Sequence, residues 1–523
     1  MFIRPTNCLF IACLCLSRLS VAGGVSSTDA ADVLHLEAAI DQALANNLGL
    51  IAARYRPANA LDAVVIEQAA FDVELFGSTS RSESVAAASS STLDSASVPE
   101  SERRRSRIGV EKRLSSGAKV TLDTGIGRSS SNNNAARNPD YATDVGLSVR
   151  QPLWKDAGGT VNLAPIARAR VAADQSVFEL RTEILDVIAK TEIAYWNVAH
   201  ARAELALIAS SVQLAENLLE ENREREKLGL VTPLEVLQAE TELVSQQEDV
   251  IQAERAIEDT ADLLREQMAT HSFLDALEDE IAVRPLPSEL SAARPLDVIV
   301  RDTILSDADA QAQQRALEVQ RINKMLAEDA TRPDLDLTAG VNYTGRDSDG
   351  ARAYRDAYQA QGYDWTVGLE LRFPWGLREA RAGVRQANRN VARETVRLYA
   401  IKQQKALAAR TAWRAVNAGQ QRIAVTRKSL ELNQQAFEQA RARYGAGLVA
   451  YRQVLEAQRD FDRARSKHLS AMIDTLRATV RLSRVDGTIL ARNGFSWQSM
   501  EGLSEAPDLE AHPQGSSILS PDS

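Results

Sequence analysis

The sequence predicts an α+β chain built twice over, with short alternating strands and then a very long helical hairpin in each copy. Three observations predict it. Val145-Gly146-Leu147-Ser148-Val149-Arg150-Gln151-Pro152 returns as Val367-Gly368-Leu369-Glu370-Leu371-Arg372-Phe373-Pro374, an offset of 222 residues from Pro152 to Pro374. Leu228-Gly229-Leu230-Val231, followed by Val236-Leu237 and Ala239, returns as Ala446-Gly447-Leu448-Val449, followed by Val454-Leu455 and Ala457, an offset of 218 from Gly229 to Gly447. After each strand motif the apolar pattern changes from period two to a helical period. A repeat this long governs the whole fold. Strands and long hairpins, twice, point to a channel rather than an enzyme.

Residues 1–22 read as a secretory signal: Arg4 supplies the positive region, Cys8 to Leu16 a short apolar stretch, and Ser20-Val21-Ala22 a small-residue cleavage site. Cys8, Cys13 and Cys15 all fall inside it, so cleavage leaves no thiol for a disulfide or a metal site. A lipid anchor on Cys13 is disfavoured by Phe10-Ile11-Ala12, a poor lipobox. No other stretch offers the roughly 18 apolar residues of a membrane helix. An exported chain then stays soluble or enters a membrane as a closed barrel of strands. The formal charge of −10 disfavours nucleic acid as a partner.

The first repeat is expected over 34–285. Leu36 to Arg54 forms a helix with Leu36, Ile40, Ala43, Leu44 and Leu48 on one face. Strands occupy about 71–151: Ile108, Val110 and Leu114, then Val120, Leu122, Thr124 and Ile126, then Val145, Leu147 and Val149, each at period two. In a membrane barrel that period means one face to lipid and one to the lumen. Ser82 to Glu102 and Arg128 to Asp140, rich in Ser, Asn and Ala, read as loops. A helical hairpin follows over about 162–270, its tip at 229–232. Its ascending arm carries one seam through Leu205, Ile208, Val212, Ala215 and Leu219 and another through Leu207, Leu214 and Leu218. The descending arm has Leu237, Val244 and Ile251 at spacing seven, and Leu243, Val250, Ile257 and Leu264 likewise. Two seams let a helix pack against neighbours on both sides, a geometry that closes into a tube.

The second repeat is expected over 295–490, with a helix to about Ala330, strands over about 335–373, and a hairpin over about 378–482 with its tip at 446–450. Tyr195 to Gly229 and Trp413 to Gly447 are each 34 residues apart, so the ascending arms match in length. Pro152 and Pro374 end strands by removing a backbone donor and steer the chain into the helix. Residues 504–523 read as a disordered tail.

Together these features resemble the TolC-like outer membrane factor family. The resemblance is carried by Leu36-Glu37-Ala38-Ala39 with Asn46-Asn47, by Phe71-Asp72, by Gln151-Pro152-Leu153 and by Gly158 through Asn162-Leu163-Ala164. It continues in the two tip motifs, in Phe373-Pro374-Trp375 with Arg378-Glu379-Ala380, and in Asp486-Gly487-Thr488-Ile489-Leu490, covering about residues 34–495. It implies a homotrimer whose strands close one outer membrane β-barrel above a periplasmic α-helical barrel. It also implies a passive exit duct of a tripartite efflux or type I secretion system, docked to a periplasmic adaptor and an inner membrane pump. Its partners are thus two further copies, the adaptor, the pump and outer membrane lipid, with no cofactor. Two departures stand out. Leu48 replaces the proline that usually follows the Asn pair. The first half holds four strand patterns, where the family minimum is two per repeat, so an extra hairpin projects outward or the barrel is wider.

The resemblance places adaptor contacts at the tips, Gly229, Leu230, Val231 and Gly447, Leu448, Val449; each Gly also suits a helix C-cap. Gate candidates are Glu456, Gln453 and Glu235, where threefold symmetry would concentrate charge on one axis. The residues themselves give Glu235 another role, since Thr232-Pro233-Leu234-Glu235 is a capping box. Glu456 could equally pair with Arg459 on the helix surface. Gln453 replaces a frequent family Asp. Tyr195, Trp196 and Trp413 suit helix packing, while Trp154 and Trp375 suit packing at the strand-to-helix bend or an interfacial aromatic belt. No catalytic or metal-ligating constellation is present in the pattern of residues. The competing class, a periplasmic coiled-coil adaptor or structural interaction protein, would carry a single hairpin between compact β-domains.

Overall fold

A computed structural model of the chain describes residues 33–85, 98, 100–132, 138–269, 281–287 and 294–497. The expected signal segment 1–22 and tail 504–523 lie outside them.

The first half opens with α1 (Leu36–Asn46) and α2 (Leu48–Ala69). The expected single helix to Arg54 is corrected here. Asn47 breaks it, because its side chain accepts a hydrogen bond from Leu50 N–H at 3.1 Å and caps a new helix. The strands β1 (Val73–Val85), β2 (Glu100–Arg113), β3 (Lys119–Ser131) and β4 (Asp140–Pro152) follow. A short turn α3 (Gly159–Asn162) leads to the ascending helix α4 (Ala164–Lys227) and the descending helix α5 (Pro233–Met268). The 64 residues of α4 reach about 95 Å at 1.5 Å per residue.

The second half repeats the plan. Helices α6 (Leu296–Ser306) and α7 (Ala308–Asp329) have 11 and 22 residues, as α1 and α2 do. Asp307 divides them as Asn47 divides the first pair, accepting from Ala310 N–H at 2.9 Å; the expected unbroken helix to Ala330 is corrected in the same way. Then come β5 (Asp334–Asp347), α8 (Gly350–Tyr358), β6 (Gly362–Arg372), the long pair α9 (Arg378–Gly445) and α10 (Tyr451–Val485), and α11 (Ile489–Arg492).

The six strands form one antiparallel sheet in chain order, β1 to β6. The extra hairpin of the first half lies within the sheet and is paired throughout, from Val73↔Lys112 to Val85↔Glu100. Strands also run into the stretches expected as loops, to Val85 and from Glu100, and through Arg128 to Ser131. There the side chains, Val85 apart, are polar on both faces. The ladder persists through its backbone bonds while the period-two signal disappears.

Register sorts the side chains cleanly. Leu75, Val110, Leu122, Leu147, Val341 and Trp365 form one cross-strand row. Several of this row stand well exposed, Leu75 at 79% and Trp365 at 68%. The opposite face is charged and internally paired: Arg105 with Asp144 at 3.2 Å, Arg107 with Asp123 at 3.0 Å, and Arg150 with Asp336.

Below the sheet, α1, α2, α4, α10 and α11 share a core of Ile40, Leu44, Leu50, Ile184, Ile188, Val480 and Ile489. Ile299 of α6 sits in the corresponding core with Ala409, Val416 and Leu482. Along α5 the two seams part company. Leu264 is fully buried within the chain, whereas Leu237, Val244 and Ile251 are exposed at 58, 60 and 67%. The seam of Leu237, Val244 and Ile251 has no partner in a single copy among the described residues.

Candidate pore, tip and strand-to-helix sites

The two hairpin tips are built from the same backbone turn. After α4, Gly229 N–H donates to Glu226 O at 2.8 Å and Leu230 N–H to Arg225 O at 2.9 Å. After α9, Gly447 N–H donates to Tyr444 O and Leu448 N–H to Arg443 O, both at 2.9 Å. This is the Schellman pattern, which needs a left-handed residue just past the cap. Gly229 and Gly447 supply it with φ of 70° and 72°. A Cβ on either would meet nothing within 4 Å, so the demand is purely conformational.

The tip residues divide by direction. Leu230 and Leu448 project outward, 71% and 74% exposed. Val231 and Val449 turn inward against a core of Leu218, Leu219, Phe437, Tyr444, Tyr451 and Val454. Arg225 ties the two hairpins together. It lies 4.6 Å over the Tyr444 ring and donates to the Tyr444 carbonyl oxygen at 3.1 Å. The Tyr444 hydroxyl donates to Asn222 Oδ1. Tyr451 packs 5.7 Å from Tyr444. Burial, with Glu242 nearby, pushes its phenol up to about 12.

Of the gate candidates, Glu235 is engaged in capping: its Oε2 accepts from Thr232 N–H at 2.9 Å and from the Thr232 hydroxyl at 3.3 Å. Gln453 and Glu456 are both exposed on α10. The expected alternative partner for Glu456 is corrected. Its carboxylate accepts from Arg452 Nε at 2.9 Å, because Arg459 is committed elsewhere. Arg459 donates to Glu242 Oε2 from Nε at 3.0 Å and from Nη2 at 2.6 Å. The Glu242 side chain is only 3% exposed. This link between α5 and α10 is absent from the sequence reading. The signal was present, since Glu242 interrupts a buried stripe that includes Ala239 and Ala253.

One helical turn beyond Gln458, on α10, Asp462 accepts from Ser211 of α4 at 2.8 Å. Among the described residues, its Oδ2 is buried with no hydrogen-bond partner, as are both amide atoms of Gln458. Burial raises the Asp462 carboxyl above the ordinary range, against the opposing pull of Ser211 and Arg465.

The strand-to-helix turns differ between the halves. Pro152 closes β4, and the turn behind it is braced by Asn162, whose Nδ2 donates to Asp156 O at 2.8 Å and Gly158 O at 2.9 Å. Arg113 donates to Asn162 Oδ1 at 2.8 Å. Pro374 follows β6 and leads through Gly376 and Leu377, with φ of 98° and 48°, into α9. Trp375 is 98% exposed there, so it fills no packing site among the described residues. Tyr195 does pack: it is fully buried, donates to Leu34 O at 2.8 Å and accepts from Arg284 N–H at 2.9 Å.

The family model described as outer membrane efflux protein matches residues 103–269 and 299–488, one segment in each half. The fusaric acid resistance protein FusA of Burkholderia cepacia is 28% identical over 263 residues, 47% of this chain and 46% of that protein. The chain thus spans about half the length of this curated relative. Among solved structures, the outer-membrane channel OprN aligns with a TM-score of 0.66 at 17% identity, covering 86% of this chain and 89% of OprN. The Campylobacter jejuni CmeC outer membrane channel aligns with a TM-score of 0.65 at 18% identity, covering 91% and 90%. VceC of Vibrio cholerae aligns at 0.63 with 17% identity, covering 86% and 96%.

Proposed function

Because the chain belongs to the outer membrane efflux protein family, we propose that three copies close their sheets into a single barrel and their hairpins into a single tube, forming a passive exit duct. The protein resides in the outer membrane with its helical part in the periplasm. The observation that carries the closure is the sheet itself. Its apolar face is exposed, its charged face is internally paired, and among the described residues β1 and β6 are both left with an unpaired edge. Joining β6 of one copy to β1 of the next removes the edges and turns the apolar face to lipid. The unpartnered seam of Leu237, Val244 and Ile251 supports the same arrangement for the helices.

Three six-stranded sheets give 18 strands. At about 4.8 Å spacing and about 40° tilt these make a ring on the order of 35 Å across. Four long helices per copy give twelve, and at about 9 to 10 Å spacing they too make a ring of about 35 Å. The extra hairpin therefore brings the barrel to the width of the tube, with no step between them.

Docking follows from the tips. Leu230 and Leu448, held outward by rigid turns, offer apolar contacts to a periplasmic adaptor, and an inner membrane pump supplies the energy. The lumen wall carries paired charges and no binding constellation among the described residues, so cargo choice lies with the pump. A test is extraction of the mature protein followed by electrophoresis with and without heating, and conductance in planar bilayers. A heat-modifiable trimer with large stable conductance is expected. A water-soluble monomer without conductance overturns the proposal.

A further inference from the structure

The apolar face of the sheet ends abruptly at its end remote from the long helices. Four residues beyond Ile108, about 13 Å along the strand, stands Arg104. It is in direct register with Arg81 on one side and Arg128 on the other. The three share the face of Leu75, Ile108 and Leu122. Like charges directly opposite on neighbouring strands destabilise a sheet unless something compensates them.

Compensation within the described residues is incomplete. Glu102, one row further, accepts from Arg81 Nε and Arg104 Nε, both at 2.8 Å. Glu83 in that row is exposed to solvent. Arg128 Nε is buried and has no hydrogen-bond partner. The charged face at a similar level behaves differently, since Arg105 and Arg107 each have their own aspartate.

Beside Arg128, α8 lies on the same apolar face. Thr143 Oγ1 donates to Ala353 O at 2.8 Å, and a Cβ on Gly345 would come within 1.9 Å of that oxygen. The helix is therefore seated directly on strand backbone. Its outer side carries Arg355, exposed, and the stacked rings of Tyr354 and Tyr358, 6.5 Å apart. Amphipathic aromatics of this kind settle at headgroup level.

We propose that this rim binds the phosphate groups of an anionic glycolipid in the outer leaflet, with Arg81, Arg104 and Arg128 as the phosphate ligands and the Tyr354–Tyr358 pair against the glycolipid backbone. The proposal rests on the reading that the sheet spans the membrane with its helices on the periplasmic side. Guanidinium suits the task because its planar fork binds phosphate oxygens in pairs. Phosphate would also relieve the repulsion along the row.

The test uses the full mature protein in non-ionic detergent, with bisphosphorylated lipid A added and bound copies counted by native mass spectrometry. Retention is expected to fall roughly tenfold or more in R81Q/R104Q/R128Q and about threefold in R128Q, as loss of charge-assisted bonds implies. The opposite-face control R105Q/R107Q should retain the lipid. Dephosphorylated lipid A should bind poorly to the wild type, and millimolar inorganic phosphate should compete weakly. Equal retention by the triple variant, equal binding of the dephosphorylated lipid, or full displacement by inorganic phosphate each overturns the proposal. If the triple variant forms no heat-modifiable trimer, R128Q alone decides. If the wild type itself gives no planar-bilayer conductance, the membrane reading and the rim fall together; conductance with lipid retention unaltered in the variants fells the rim alone.

Discussion

Glu242 of α5 and Arg459 of α10 form an ion pair in which one carboxylate oxygen accepts two guanidinium hydrogen bonds, at 3.0 and 2.6 Å. The two helices descend from different tips, so this pair couples the hairpins just behind the proposed docking surface. The Glu242 side chain is 3% exposed and that of Arg459 53%. R459A strands a buried carboxylate. Its expected cost is about 1–3 kcal/mol, below the value for a fully buried pair because water reaches the arginine. E242A/R459A should recover part of that loss. Denaturant unfolding of the detergent-solubilised protein reads the double-mutant cycle, and purely additive effects would remove the coupling.

Asp462 lies deeper along the same helix, with one carboxylate oxygen unpartnered. Its raised carboxyl, caused first by burial, means that the fold prefers the protonated form. Stability from this group is present below the unfolded carboxylate pKa and declines as pH rises through the folded one. D462N should therefore raise the thermal midpoint at pH 7.5, and the gain should vanish near pH 3. A lower midpoint at pH 7.5 would contradict this.

Tyr451 provides an alkaline counterpart. Its phenol is pushed up to about 12, so its contribution is intact below pH 10 and lost as pH climbs toward 12. The shift corresponds to on the order of 2–3 kcal/mol. Phenolate absorbance of the folded protein, with Y451F as the blank, should show this buried residue titrating well above pH 10. Ionisation near pH 10 in the folded state would refute the assignment.

At the tips, folding and the proposed docking should be separable. L230D and L448D change exposed side chains and should alter stability by no more than about 0.5 kcal/mol, while export falls at least tenfold in cells carrying the cognate pump. G447V loads a positive φ with a branched side chain, at about 1–2 kcal/mol. The trimer should survive and export should be lost. Wild-type export from L230D/L448D with normal trimer would remove these leucines from docking.

The fold class was legible because period two and period seven are both properties of neighbouring residues. Val145, Leu147 and Val149 announce β4, and the Gly229 and Gly447 motifs announce the turns. What was hidden depends on competition between local alternatives. Asn47 reads as a helix interior residue until its side chain is seen to cap α2. Helix α8 is signalled by little more than Ala353 and Ala357, four apart, and its docking depends on Gly345 from a strand. At the candidate gate, Glu456 and Arg459 are neighbours on α10, yet Arg459 is taken by Glu242, 217 residues away in sequence. A sequence orders nearby partners first, whereas burial rewards the distant carboxylate that has lost its water.

The open margins of the sheet also bear on life before assembly. A newly exported copy carries two ladders, at β1 and β6, that are bare among the described residues, beside an oily wall in an aqueous compartment. Until the proposed trimer closes, either margin can recruit any stray extended polypeptide. Biogenesis should therefore depend on a holding chaperone and grow steeply with the supply of fresh chains.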